Sequence, residues 1–331
     1  MGERNLGSLL PGIKYGHKVY PYELLGAGMN IFGTLWFVDA TSGSDDDIGT
    51  SPDHAFATIQ KAVTTQIANS TGLGDGILVF PGTYAESITG ALTKVKLIGL
   101  GASQVSVRPT AGSGYAGVIT DSLITGIDWR TPSLSSLTYP ALQATDLIGS
   151  EISNCSFTGT TNPTNQDTGT CGIQIGAITE TSWEQMVNSR IVNNVFKDNG
   201  SRTSELSHGI RFGYLASSSY SSTRINRYSE IAYNHIQVEY KGIWMQVNRT
   251  NHNGSSVHHN WVHSAQGGDA ATSDVGIHAD DANADATSLL MVTDNRVMSN
   301  EDAIGGVNTN AVQGNIIGVN GAAPTSETGQ Q

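Results

Sequence analysis

From residue 150 onward one six-residue unit keeps returning: an apolar residue, two of any kind, an asparagine, one of any kind, an apolar residue. It reads IVNNVF at 191–196, IAYNHI at 231–236, VHHNWV at 257–262, VTDNRV at 292–297 and VQGNII at 312–317. ISNCSF at 152–157 fits with Cys155 in the asparagine place. Successive starts lie 39, 40, 26, 35 and 20 residues apart. A second unit alternates with the first: GIQI from 172, GIRF from 209, GIWM from 242, GIHA from 276 and a weaker AIGG from 303. Self-similarity at such a period outranks any local signal, because it marks an architecture built by stacking.

Each period therefore holds two short strands joined by turns and by loops of unequal length. A coil of about 20 residues cannot bury its inward side chains alone. Stacked coils place equivalent apolar residues above one another, strands roughly 4.8 Å apart. Each buried Ile or Val then contributes roughly 1.5–3 kcal/mol against the entropy of ordering its coil. The recurring asparagine is expected at a bend, in left-handed φ/ψ, passing side-chain hydrogen bonds from coil to coil. Composition agrees: of 23 Asn, 20 lie after residue 150, and there are 39 Gly.

Upstream of the repeats the order differs. Residues 1–35 mix Gly, Pro and apolar patches without a period, and read as an arm or adaptor. LWFV (35–38) reads as a strand and GSDDDIGTSP as a polar loop. Ala55 to Ala68 reads as a helix with Phe56, Ile59, Ala62, Val63 and Ile67 on one face. Short strands follow in GDGILVFPGTYAESI, KVKLIGLG and SQVSVRP. A helix near 54–69 at the head of many strands suggests a cap on a stack.

The stretch VDATSGSDDDIGTSPDHAFATIQKAV, continued by GDGILVFPGTYAESI, resembles the opening module of the pectin-lyase-like superfamily, and the later coils resemble its repeats. The resemblance covers roughly residues 36–317. It implies an all-β fold: one right-handed parallel β-helix, a solenoid with an N-terminal capping α-helix. Its parts are an opening module at 36–108 and repeats at 150–317, with a polar tail, 318–331, expected not to cap the last coil. It says little about activity, since such folds serve pectate lyases, glycoside hydrolases, epimerases and phage tailspikes alike.

Charge narrows the function classes. The net charge is −12, divided as −8 over 1–185, +4 over 186–252 and −8 over 253–331. That balance argues against a nucleic-acid partner, which needs a basic face. Two cysteines, Cys155 and Cys171, imply no disulfide framework. No stretch approaches the ~20 apolar residues of a membrane span, and the N-terminus shows no signal-peptide core, so no membrane partner is expected.

Strand alternation selects a candidate ligand face. In GIWM, Ile243 and Met245 point inward and Trp244 outward. Aligned across coils, the outward column is Gln174, Arg211, Trp244, His278, with His208 and Lys241 before it and Asp280 after it. Aromatic rings stack on sugar faces, and cations hold carboxylated or sulfated sugars. A subunit interface would favour the same residue types. Asp280 and Asp302 are the candidate acid and base of a hydrolase, since paired carboxylates about 5–9 Å apart serve glycosidases. The lyases that the resemblance brings in use Ca²⁺ and an Arg base, and no such motif carries over. His258 and His263 of VHHNWVH could approach a metal ion, but the repeat explains them, and neither metal nor cofactor is expected. The loop 213–230, with Arg224 and Arg227, is a second recognition candidate. The expected function is a virion structural protein of a tailed phage, a homotrimer that docks on other virion proteins through residues 1–35 and binds a host polysaccharide. The alternative is a secreted polysaccharide lyase or glycoside hydrolase.

Overall fold

The computed structural model describes residues 31–70, 72–100, 104–132, 139–159, 170–176, 185–197, 206–212, 224–245, 250–251, 254–264, 275–279, 290–299, 302–305, 311–319 and 325–327. The chain winds as a right-handed parallel β-helix. Successive coils each add a strand to one of three sheets. The first sheet runs from Leu35–Val38 to Ala311–Gln313, and the second from Gly82–Tyr84 to Asn315–Val319. The third begins at Ile88–Thr89 and Leu92–Thr93, which both pair with Tyr115–Thr120, and forks at Leu142–Ile148. One branch continues through Cys171–Ile175, His208–Phe212, Lys241–Met245, Val275–Ala279 and Asp302–Gly305. The other takes Gln185–Val187, Arg224–Arg227 and Thr250–Asn251. The stretch 213–230 read as a loop thus contains a strand.

The repeated apolar residues stack as the period demands. In the first sheet Ile152, Ile191, Ile231, Val257, Val292 and Val312 are successive register partners. In the second sheet the file runs Phe157, Phe196, Ile236, Val262, Val297 and Ile317. The rings of Phe157 and Phe196 stack at 4.7 Å. Ile173, Ile210, Ile243, Ile277 and Ile304 supply the third side.

Two polar ladders hold the corners. Between the first and second sheets, buried Asn194, Asn234, Asn260, Asn295 and Asn315 bond in series. The left-handed residue is not the ladder asparagine, as expected, but the one before it: Asn193, Tyr233, His259, Asp294 and Gly314 have φ between 53° and 69°. That residue turns the corner, which leaves the asparagine side chain aimed inward along the stack. At the corner before the first sheet the same device uses serine: the backbone N–H groups of Ser122, Ser150, Ser189 and Ser229 each donate to the hydroxyl oxygen of the next serine, ending at Ser255. Asp121, Gly149, Asn188, Tyr228 and Gly254 take the positive φ there.

The opening helix, α1 (Ile59–Asn69), is shorter at its start than the sequence pattern suggests. Phe56 instead bridges to Val38 in extended backbone. Thr58 caps the helix by accepting from the Lys61 N–H. The Asp45 carboxylate takes the Ala57 and Thr58 N–H groups, and Glu86 takes those of Ile59 and Gln60. These carboxylates satisfy donors that a helix start leaves open. Ile59, Ala62 and Val63 join the main core. Ile67 is 47% exposed, and Gln66 takes the fourth inward place, donating to Asp75.

A second apolar cluster lies on the outside of the first sheet, where Leu35, Phe37, Leu78, Phe80, Ile98 and Leu100 are buried. At the far end the polar tail does return to the solenoid: Thr325–Glu327 pairs antiparallel with Asn315–Ile317. This covers an edge strand whose unpaired backbone would otherwise invite association. Among the described residues, no helix is long and apolar enough to cross a membrane.

Candidate functional site

The third sheet brings the predicted row together. Gln174, Arg211, Trp244 and His278 are successive register partners, and Cys171, His208 and Lys241 form a second row. Strict alternation would send Lys241 inward beside Ile243. The glycine between them changes the phase. A Cβ on Gly172 would stand 2.5 Å from the Phe196 ring, and one on Gly209 would stand 2.6 Å from Ile236. One on Gly242 would overlap Val262. These glycines therefore face the interior, where the second sheet leaves no room, and the preceding residue turns to the outer side.

On that side the contacts are specific. The Arg211 guanidinium donates to Gln174 Oε1 at 2.7 Å. Lys241 Nζ stands 3.7 Å from the centre of the Trp244 ring, a cation–π contact. The His208 ring lies 5.0 Å from Trp244 and 6.3 Å from Tyr240. One coil earlier, Gln143 donates to the Gly176 carbonyl. Burial pushes the Cys171 thiol pKa up, while the Arg211 charge partly opposes it.

The row is not an open face. Relative exposures are 0% for Gln174 and His208, 1% for Arg211, 3% for Trp244 and 8% for Lys241. Only His278 is half-buried. The residue types suited to a sugar platform are here packed, so the outward direction read from alternation does not bring solvent access.

Of the candidate acid–base pair, Asp280 lies outside the described residues, and Asp302 is the register partner of Val275 at the start of its strand. Sequence reasoning missed a different carboxylate, Asp146. It sits where the register of the Leu142–Ile148 strand slips, at the fork of the third sheet. Burial raises its pKa above the ordinary carboxylate range, against a bond from the Gln185 N–H that lowers it. Bulges re-aim side chains and recur beside functional sites. No sequence pattern marks a bulge here, which is why the residue went unnoticed.

His258 lies on the first sheet and His263 on the second. His258 Nε2 meets Glu230 at 3.0 Å. Glu230 also holds Arg190, which reaches back to Glu151. The result is an ion-pair chain along the first sheet. Among the described residues no group of His, Cys, Asp and Glu has the arrangement of a metal site.

No family model and no curated protein matches the sequence. Solved structures do match in shape. A pectin methylesterase from carrot has a TM-score of 0.50 and 10% identity, over 89% of this chain and 85% of its own. A pectin methylesterase from Erwinia chrysanthemi has a TM-score of 0.44 and 12% identity, over 88% and 90%. The tailspike protein of E. coli bacteriophage HK620, solved in complex with a pentasaccharide, has a TM-score of 0.45 and 10% identity. That match covers 81% of this chain but only 60% of the tailspike. At such identities the likeness is one of fold, and by fold the chain is a right-handed parallel β-helix.

Proposed function

We propose that the chain is a structural protein of a tailed-phage particle: a tail spike, fibre or capsid decoration whose solenoid is a stiff shaft with glycan contacts on its outside. The observation that supports this reading is the continuous buried ladder from Asn194 to Asn315, doubled by the serine ladder at another corner. Such ladders tie each coil to the next through polar groups buried away from water, a construction suited to a rod that must survive outside a cell. In this reading the Arg211–Trp244 row is packing. Three chains side by side, docked through residues 1–35, complete the assembly.

A second reading, a polysaccharide lyase or glycoside hydrolase, draws support from Asp146. Burial raises its pKa, and it stands at a register slip of the kind that re-aims side chains beside functional sites. One experiment separates the two. The protein is incubated with acidic and neutral polysaccharides, and unsaturated or reducing ends are followed. The shaft reading expects no turnover and a native mass of three chains. Robust turnover that Asp146→Asn or Asp280→Asn abolishes overturns it in favour of the enzyme.

A further inference from the structure

The row chosen from the sequence is buried, but another is open. On the outer face of the second sheet, His235, Trp261, Arg296 and Ile316 are successive register partners. Trp261 is 43% exposed, Ile316 is 54% exposed, and Arg296 is exposed as well. Beside this column stand exposed Lys197 and half-buried His263. The inward partners of the same strands are Phe196, Ile236, Val262 and Val297, so this outer side is free of the core's demands. A large indole left at the surface of such a strand is not explained by packing.

The indole is held in place. Its ring centre lies 3.9 Å from that of His235, tilted by 33°. Burial, and then the neighbouring His263, hold the His235 imidazole below its ordinary pKa, so it backs the indole as a neutral ring at pH 7. Arg296 stands on the following coil and Lys197 on the coil before His235. Asp128 shares the column four coils before Trp261 and is committed to Ser106, Ser156 and Arg130. Half-buried Glu239 follows the His235 strand, and Glu327 stands on the strand paired with Asn315 at the far end. The exposed charged side chains that flank Trp261 on these strands, Lys197 and Arg296, are both cationic, on a chain whose net charge is −12.

We propose that this face, centred on Trp261 with Arg296 and Lys197, binds an acidic polysaccharide laid along the solenoid axis, its carboxylates or sulfates on the cations and a sugar ring against the indole. Charge complementarity selects the partner, because a neutral glycan would leave the two cations unused. The inference deepens the glycan contact of the preceding reading but uses different residues from the buried row.

Affinity electrophoresis of the full chain through polygalacturonate, and separately through dextran, tests it at low salt. Polygalacturonate is expected to retard the protein and dextran is not. Trp261→Ala and Arg296→Gln are each expected to weaken retardation about tenfold or more. Added salt is expected to cost the parent protein more than Arg296→Gln. Both side chains are exposed, so neither change threatens the fold, and a melting curve for each checks this. Absent or equal retardation by the two polymers, or variants that match the parent, overturns the proposal. So does a native mass that falls from an oligomer to one chain in Trp261→Ala, which would make the face a contact between copies. Turnover of a polysaccharide would defeat the shaft reading while leaving this binding result as it stands.

Discussion

Asn234 gives Asn260 two hydrogen bonds at one atom: its backbone N–H and its side-chain amide both reach Asn260 Oδ1, each at 3.0 Å. The same amide also donates to the Ile191 carbonyl at 2.8 Å. Asn260 repeats the arrangement toward Asn295 and the Ile231 carbonyl. One side chain thus accepts from the coil before, donates back to a carbonyl of that coil and donates on to the coil after.

Asn260→Ala removes an acceptor shared by two buried donors. Each donor left unsatisfied costs about 1–3 kcal/mol. The predicted loss is about 2–6 kcal/mol of unfolding free energy from the affected coils, larger than for Asn193→Ala, whose side chain is exposed. Urea denaturation followed by far-UV circular dichroism measures it. Equal midpoints for the two variants would show that the ladder is ornamental. Solenoid coils interact chiefly with their neighbours, so the curve is expected to broaden as well as shift.

The glycine of the second unit gives a test of opposite kind. In Gly242→Ala the new methyl group would overlap Val262 Cγ1 and come within 2.6 Å of the Gly276 carbonyl oxygen. Overpacking of this sort costs about 1–3 kcal/mol. Val262→Ala opens space opposite it. The double variant is therefore predicted to recover part of what Gly242→Ala loses, a coupling that a thermal melt of the four proteins reads directly.

Much of this was legible in advance. The apolar periods gave the interior files, and Asn at a fixed place gave the coil-to-coil bonds. The corner was misassigned by one residue, because the left-handed position is filled by Asn, Tyr, His, Asp and Gly in turn and shows no pattern. The serine ladder did have a readable signal. Ser122, Ser150, Ser189, Ser229 and Ser255 each stand two residues before the inward apolar residue that opens a coil: Ile124, Ile152, Ile191, Ile231 and Val257. Serine is too common for this to stand out without the asparagine file beside it. Alternation correctly put Trp244 outside the core but could not show its burial, since a strand's period says which side a residue faces and not what packs on that side. The open Trp261 was hidden for the opposite reason: it falls within the asparagine unit, where attention goes to the flanking apolar residues.

Acid should loosen the first sheet. Partial burial raises the Glu230 pKa, but the Arg190 guanidinium and then His258 outweigh it, leaving the carboxyl below its ordinary range. A depressed folded-state pKa means stabilisation that is complete above the unfolded value, about 4.3, and is lost as pH falls through the folded value. Stability is thus predicted to drop on acidification below about pH 5. Glu230→Gln is predicted to flatten that limb of the melting temperature against pH, with little change in slope above it. An unchanged acid limb would assign the loss to other carboxylates.

Cys155 occupies the rung below Asn194, and its N–H donates to Asn194 Oδ1 at 3.0 Å as a ladder asparagine's would. Its thiol lies 3.9 Å from the Ile124 carbonyl, the place where an asparagine amide would donate. Burial pushes its pKa to about 11, with the Ile127 N–H and the Trp129 indole among the groups that oppose this. An asparagine here would offer Oδ1 to the Ile127 N–H and its amide to Ile124, extending the ladder one coil toward the N-terminus. Each net hydrogen bond gained contributes about 0.5–1.5 kcal/mol, set against about 1–3 kcal/mol if the larger side chain crowds Trp129. The position is flanked by asparagine rungs on one side only, and Gly126 already supplies the left-handed turn below it. Cys155→Asn is therefore predicted to melt no lower than the parent, whereas Cys155→Ala, which leaves the pocket underfilled and the Ile127 N–H without a partner, melts lower. A Cys155→Asn protein less stable than Cys155→Ala would mean that the ladder ends at Asn194 because the aromatic packing below requires it to.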